Sequence, residues 1–291
     1  MSSSEPEFND AREYSSLEEV MNTLLTAKGK SFRELDQTGR ALTGGNKGSL
    51  GQIIEESVLK YAINSDAAPD IHIGDTSYEL KVTPLKHIKK GKQTSAKERL
   101  VIDIINYLTL ADETDFESSK MWDKAKNIIL VYYYDDRTDK KKELRIDCKV
   151  LASYLMKYEA DDLATIKNDW HVIRDKVASG HADSLSESDT NYLAACTKGA
   201  NSKQLREAPA PAGANTATIF AKQRAFSLKT SYMTAIARKL LNRKSETVRL
   251  PIPQEQNLDE YVAAKFIPFT GKSSRDIASE LQVSAAPTAK N

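Results

Sequence analysis

The run Pro69-Asp70-Ile71-His72-Ile73-Gly74-Asp75-Thr76-Ser77-Tyr78-Glu79-Leu80-Lys81-Val82 constrains this chain more than any other stretch of it. Two short pieces of alternating apolar residues flank Gly74-Asp75-Thr76-Ser77, a turn-forming sequence, and the pattern predicts a β-hairpin. Side chains alternate along a strand, so Tyr78, Leu80 and Val82 are expected on a core face. Glu79 and Lys81 then share the other face, with Asp70 at the head of the partner strand. Two carboxylates and a lysine converge at one end of a sheet. Carboxylate oxygens are the donors Mg²⁺ prefers, and a lysine beside them can assist an attacking water, which is the make-up of a phosphodiester-cleaving site. The bland alternative is a solvated strand face, because Asp followed by Glu-x-Lys recurs by chance in charged proteins.

With 291 residues, 40% of them hydrophobic and 29% charged, the chain can hold one large domain or two ordinary ones with ample core. It has no apolar run of bilayer length, and its Ser- and Glu-rich start is not a signal peptide, so a cytoplasmic protein without a membrane partner is expected. Cys148, Cys196 and four scattered histidines give neither zinc spacing nor a disulfide framework. The net charge of +1 does not advertise a polyanion partner; the local distribution does.

Residues 1–14 read as a disordered tail. Leu17 to Leu25 has helical spacing behind Ser15 or Ser16 as N-cap, Ser31 to Leu35 is a short polar-apolar piece, and Thr43 to Asn46 is a loop. Ser49 to Leu59 predicts a helix with apolar positions at 50, 53, 54 and 58, which leaves Glu55 and Glu56 toward its polar side as ordinary solvated glutamates. Lys86, Lys89, Lys90, Lys92, Lys97 and Arg99 form a basic stretch: a solvated loop, or neutralisation for a phosphate backbone beside the hairpin. Leu100 to Leu110 is a buried element, helix or strand. Asn127 to Tyr134 is a buried strand, and Lys142 to Val150 is expected to pair with it across Asp135 to Lys141. Residues 151–193 read helical, with Gly180 ending the long helix and Tyr192 to Cys196 an apolar strand or helix end. From Lys198 to Lys244 ten basic residues face the single acid Glu207, around a flexible loop at Ala208 to Thr218 and a helix at Thr230 to Leu241. His72 and Cys196 are read as packed or exposed bystanders, not as a base or a nucleophile.

Four segments resemble the MutH/Sau3AI family of GATC-specific DNA endonucleases: Asn46 to Glu55, Pro69-Asp70 to Pro84, Lys124 to Leu130, and Arg224 to Lys229. Tyr192-Leu193 to Asn201 is a weaker fifth. They follow the family's order across roughly residues 45–245, and Leu-Lys-Val-Thr-Pro with Lys97 to Ile102 is nearer the Sau3AI restriction branch than the mismatch-repair branch.

The resemblance implies an α/β (α+β) restriction-endonuclease-like core, a mixed central sheet flanked by helices. It implies a catalytic domain over 15–250, with a DNA-reading region at 195–245 and residues 251–291 as an extension or the start of a second domain. By residue, it implies that Asp70 and Glu79 bind Mg²⁺, Lys81 orients or activates the attacking water, Glu55 completes the acidic cluster, and Lys124 lies near the scissile phosphate. Lys86, Lys89, Lys198, Arg224, Ser227 and Lys229 are the expected DNA-side residues. The Asp70-to-Glu79 spacing is longer than in the repair branch, and Cys196 and Ser227 replace larger polar side chains there. The expected activity is Mg²⁺-dependent cleavage of double-stranded DNA 5′ of the G in GATC. The partner is a second copy on the DNA or a C-terminal pseudo-catalytic domain. The alternatives are a methylation-directed nickase and a non-catalytic DNA-binding module.

Overall fold

A computed structural model of the protein describes residues 14–39, 49–61, 70–88, 90–91, 93–139, 143–199 and 204–241. Helices α1 (Leu17–Leu25), α2 (Phe32–Leu35) and α3 (Ser49–Gln52) come first, and α3 runs into a π-helical turn, Ile53–Val58. Strands β1 (Ile71–Ile73), β2 (Thr76–Ile88), β3 (Gln93–Ala96) and β4 (Leu100–Ile104) follow. Next are α4 (Tyr107–Asp112), α5 (Lys120–Ala125), β5 (Ile128–Tyr134), β6 (Val150–Leu155) and α6 (Ala160–Ala178). The last elements are β7 (Leu193–Thr197), β8 (Leu205–Pro209), β9 (Thr218–Lys222), β10 (Arg224–Leu228) and α7 (Thr230–Leu241). The architecture is mixed α/β, sheets flanked by helices, as expected. The chain forms two compact units, the first from residues up to Lys86, Ile129–Leu155 and Lys239 onward, the second from His87–Ile128 and Met156–Arg238.

In the first unit the strand order is β1-β2-β5-β6. β5 is β-branched and aromatic, and Ile129 to Tyr133 are buried on both faces, so it forms the middle of the core. It pairs antiparallel with β6, Ile129 opposite Leu155. Ser16 caps α1 by accepting from the Glu19 N–H, and α1 buries Leu17, Val20, Met21 and Leu24. Ser31 and Glu34 close a capping box on α2, whose Phe32 meets Tyr133 edge-on at 5.2 Å between ring centroids. Leu50, Ile53, Ile54 and Val58 are all buried, as their spacing predicts. Each such side chain contributes about 1.5–3 kcal/mol by leaving water.

The second unit is built on β10, buried along its whole length between β4 and β7 and antiparallel to both. A register shift against β4 falls between Phe226 and Ser227. α6 brings Trp170 and Ile173 to this core and places the buried Asp169 under the start of β7. Its carboxylate accepts from the backbone N–H groups of Asn191, Tyr192 and Leu193 at 2.9, 2.6 and 2.9 Å. β8 and β9 form a separate two-stranded ribbon.

Several local expectations change. The hairpin turn is only Gly74-Asp75, with Gly74 at φ +55°, and Thr76 and Ser77 already belong to β2. β2 lacks the expected division into core and solvent faces: Glu79 is buried like Leu80, and Tyr78 and Val82 are half-buried. The partner of β5 begins at Val150, because Arg145–Asp147 closes a single 3₁₀ turn. β6 therefore occupies the start of the stretch read as helix, which begins only at Ala160. Ala208, Pro209 and Thr218 lie in ribbon strands, which shortens the expected loop. Leu100 to Leu110 is both things in turn, a strand and then a helix after Asn106, whose side chain caps α4. Residues 1–13, the loop at 43–46, Lys89 and residues 251–291 lie outside the described residues, while Tyr14, expected in the disordered tail, is buried and donates its hydroxyl to the Leu59 carbonyl at 2.9 Å.

Candidate active site

Asp70 precedes β1, and the β1–β2 register, Ile71 opposite Tyr78, sets it across from Glu79 one step further along. Its Oδ2 accepts from the Leu80 backbone N–H at 2.7 Å, which ties the head of one strand to the middle of the other. Glu79 and Lys81, two apart on β2, point the same way, and Lys81 Nζ donates to Glu79 Oε1 at 2.5 Å. Glu79 is only 7% exposed, and among the described residues its Oε2 is buried without a hydrogen-bond donor. A buried carboxylate oxygen without a proton donor is costly and asks for a cation.

Glu55 joins this group from the π-helical turn, in which the Leu59 N–H reaches back five residues to the Ile54 carbonyl at 2.9 Å. Burial first, then the charge of Asp70, pushes its carboxyl up to about 7; Lys81 opposes this, and Glu56 and Glu79 add to it. Glu55 is thus no solvated helix glutamate, and the four predicted residues Glu55, Asp70, Glu79 and Lys81 feel one another's charge. Among the described residues no three His, Cys, Asp or Glu side chains form a ready cage for an ion. Magnesium does not require one, since it is usually held by one or two carboxylates together with substrate phosphates. The hard oxygen donors and the orphaned Glu79 Oε2 fit such an ion.

The remaining predicted residues are placed differently. Lys86 is half-buried at the end of the first unit. Lys124 lies on α5 in the second unit, where its Nζ donates to Asp103 Oδ1 at 3.2 Å, with Lys120 Nζ 3.7 Å from the other oxygen. Asp103 escaped the sequence reading; its signal was a lone acid inside the apolar run of Leu100 to Leu110. Lys198 is exposed just past β7. Arg224 is buried, donating from Nη1 to the Ala195 carbonyl at 2.8 Å, while among the described residues its Nε is buried with no acceptor. Ser227 is 1% exposed and lies 3.5 Å from the Ala194 carbonyl, so its hydroxyl faces the sheet and not solvent. Lys229 donates to the Thr190 carbonyl. Gln223 was not singled out either, yet it ties the region together, accepting from Arg206 Nε at 2.7 Å and donating to the Lys198 carbonyl at 3.2 Å. Beside it opens a cleft of about 340 Å³ lined by Asn106, Leu108, Gln204, Leu205, Arg206 and Gln223.

Residues 59–169 match the family described as DNA mismatch repair enzyme MutH. The chain is 38% identical over 260 residues to the type II restriction enzyme Sau3AI of Staphylococcus aureus, covering 88% of this chain and 50% of that protein. It is 26% identical over 225 residues to the DNA mismatch repair protein MutH of Shewanella woodyi, covering 76% of this chain and 90% of that protein. A MutH of Shewanella baltica strain OS185 matches at 26% over 197 residues, 67% of this chain and 80% of the relative. The chain thus spans half the length of the Staphylococcus aureus relative it matches.

Proposed function

Since the chain belongs to the MutH/Sau3AI family, we propose that it is a site-specific endonuclease that hydrolyses both strands of DNA 5′ of the G in GATC, leaving 5′-phosphates. The observation that carries this reading is the Glu79–Lys81 pair: a buried carboxylate with one oxygen held by a lysine and the other unsatisfied. Asp70 and Glu79 would hold a Mg²⁺, whose chemistry when bound would be positive charge at the phosphate and a more acidic attacking water.

The chain's own residues do the rest. The Leu80 N–H fixes the Asp70 carboxylate. Lys81 holds and orients the Glu79 carboxylate, and its ammonium supplies positive charge for the phosphoryl oxygens. Glu55, easily protonated, relieves crowding among the carboxylates and can take the proton that the water gives up. The Asp103-held Lys124 adds positive potential, and the exposed Lys198 contacts backbone phosphate, which positions the duplex without reading it. The DNA site is two-fold symmetric, so a second copy, or a pseudo-catalytic partner domain, completes the assembly on DNA in the cytoplasm.

The rival reading is a nickase acting at hemimethylated GATC, favoured by the MutH match of residues 59–169. Both are tested on duplexes holding one GATC, unmethylated, hemimethylated or fully methylated, in Mg²⁺ and in EDTA. Mg²⁺-dependent cutting of both unmethylated strands is expected. Nicking confined to the unmethylated strand of hemimethylated DNA supports the rival. Tight binding without cutting supports a DNA-recognition module, and neither cutting nor binding at GATC removes the target sequence.

A further inference from the structure

Gln223 is the single residue between β9 and β10, and it is only 5% exposed. Each of its polar groups has a partner. The backbone N–H donates to the Gln204 carbonyl at 2.8 Å, and the backbone carbonyl accepts from the Lys198 N–H at 3.0 Å. In the side chain, Nε2 donates to the Lys198 carbonyl at 3.2 Å and Oε1 accepts from Arg206 Nε at 2.7 Å. One buried residue thus ties Lys198, just past β7, to Gln204, just before β8, and to Arg206 within β8. All of them lie in the second unit. A buried amide satisfied on every side makes a stiff joint, because any movement strands one of its partners.

Arg206 is the unusual member of the group. Among the described residues three arginines are exposed, Arg33, Arg99 and Arg206. Arg33 pairs with Asp147 at 2.7 Å, and Arg99 pairs with Glu187. Arg206 has no carboxylate partner among the described residues, and a neutral amide oxygen holds its Nε instead. Its neighbour Glu207 does not quench the charge. Strand alternation turns Glu207 to the other face of the ribbon, where its carboxylate accepts from Thr218 Oγ1 at 2.7 Å. Anchoring at Nε leaves both Nη groups as a fork on the rim of the cleft of about 340 Å³. The fold therefore gives up the rotamer freedom of an exposed arginine before any partner arrives.

The chemistry of the fork selects the occupant. A guanidinium has donors only and stays charged, and its two Nη groups match the two oxygens of a phosphate. Lys198 is exposed and bonded through its own carbonyl to the same amide, so two positive charges are anchored at one joint. The edge of a guanine is neutral and would use the fork alone, whereas a phosphodiester uses both cations. Resting on the reading of the chain as a DNA endonuclease, we infer that Arg206 grips a backbone phosphate of the duplex. Gln223 is the positioning residue that holds Arg206 and the Lys198 backbone together for that contact. Such a contact fixes where the duplex lies without reading its sequence.

The test measures equilibrium binding of the full chain to fluorescent GATC and scrambled duplexes in EDTA over a series of salt concentrations. Arg206→Ala is expected to bind both duplexes about ten-fold more weakly, with a log–log salt slope shallower by about 1. Arg206 is exposed, so this substitution leaves folding intact, and an unchanged melting temperature checks that. Arg206→Lys keeps the charge without the fork, and is expected to retain the slope while losing most of the affinity. Gln223→Met removes the acceptor for Nε at similar size. It is expected to weaken binding about five-fold in the wild-type background and less than two-fold in the Arg206→Ala background. A merely structural role for Gln223 gives the same loss in both backgrounds and overturns the positioning assignment, as does wild-type binding by Arg206→Lys. An Arg206→Ala slope equal to that of wild type overturns the phosphate contact, and a loss confined to the GATC duplex overturns it in favour of a base edge. Wild type that binds GATC no better than the scrambled duplex, with the Arg206 effect on both, supports the contact and overturns the GATC reading.

Discussion

Glu79, Lys81, Asp70 and Glu55 show how differently side chains of one site are read from sequence. The Glu-x-Lys spacing was legible because strand alternation forces the two side chains together. The burial of Glu79 was not, because alternation reports only which side a residue faces, and both sides of β2 are covered. Glu79→Gln keeps an acceptor for Lys81 and removes the charge. Cleavage is expected to fall about a thousand-fold or more with little change in melting temperature, as single-turnover assays and calorimetry will show. Glu55 gives a pH signature. Its carboxyl titrates at about 7 when folded and near the ordinary 4.5 when unfolded. Between those values the folded chain holds a proton that the unfolded chain has lost. The stabilisation is complete below about 4.5 and disappears as pH rises through 7, by at most ~3 kcal/mol. Denaturant unfolding in EDTA at pH 5 and pH 8 is therefore expected to show a fall in wild type that Glu55→Gln lacks.

At the scale of elements, α1 and α7 match their expected bounds because each carries its own signals, a serine cap for one and a clean apolar spacing for the other. β6 reads as helix in the sequence because Tyr154 and Leu155 continue an apolar spacing into α6. What makes Val150–Leu155 a strand is its ladder to β5, a non-local partner that no window of sequence contains. Asp169 is another long-range device, holding three N–H groups some twenty residues away. Asp169→Ala strands those donors in a buried place and is expected to cost about 3 kcal/mol or more, with protease cleavage appearing first near β7. Gly180 was legible as a helix end but not as the seat of Pro211. Gly180→Ala combines a left-handed backbone with a collision against backbone atoms. A loss of about 2–4 kcal/mol is expected in chemical unfolding.

For the whole molecule, the carboxylates proposed to act in cleavage belong to one unit, while Lys124, Lys198 and Arg224 belong to the other. The net charge of +1 conceals that the segment from Lys198 to Arg238, all within the second unit, carries seven basic residues against the one acid Glu207. Binding to a GATC duplex is expected to saturate at two chains per duplex in sedimentation. Its affinity is expected to fall with salt on a log–log slope steeper than about −4, corresponding to at least four or five neutralised phosphates. A shallow slope contradicts the phosphate roles assigned to the lysines. The discontinuous first unit also governs how the molecule is made. The chain leaves that unit after Lys86 and returns only at Ile129, so β2, which carries Glu79 and Lys81, waits for its neighbour β5 until more of the second unit has been synthesised. At translation speeds of roughly 5–20 residues per second, the nascent strand stays open-edged for several seconds. Its closure is a high-contact-order step, which makes the emergence of β5 from the ribosome the moment at which the strand carrying Glu79 and Lys81 can first be closed.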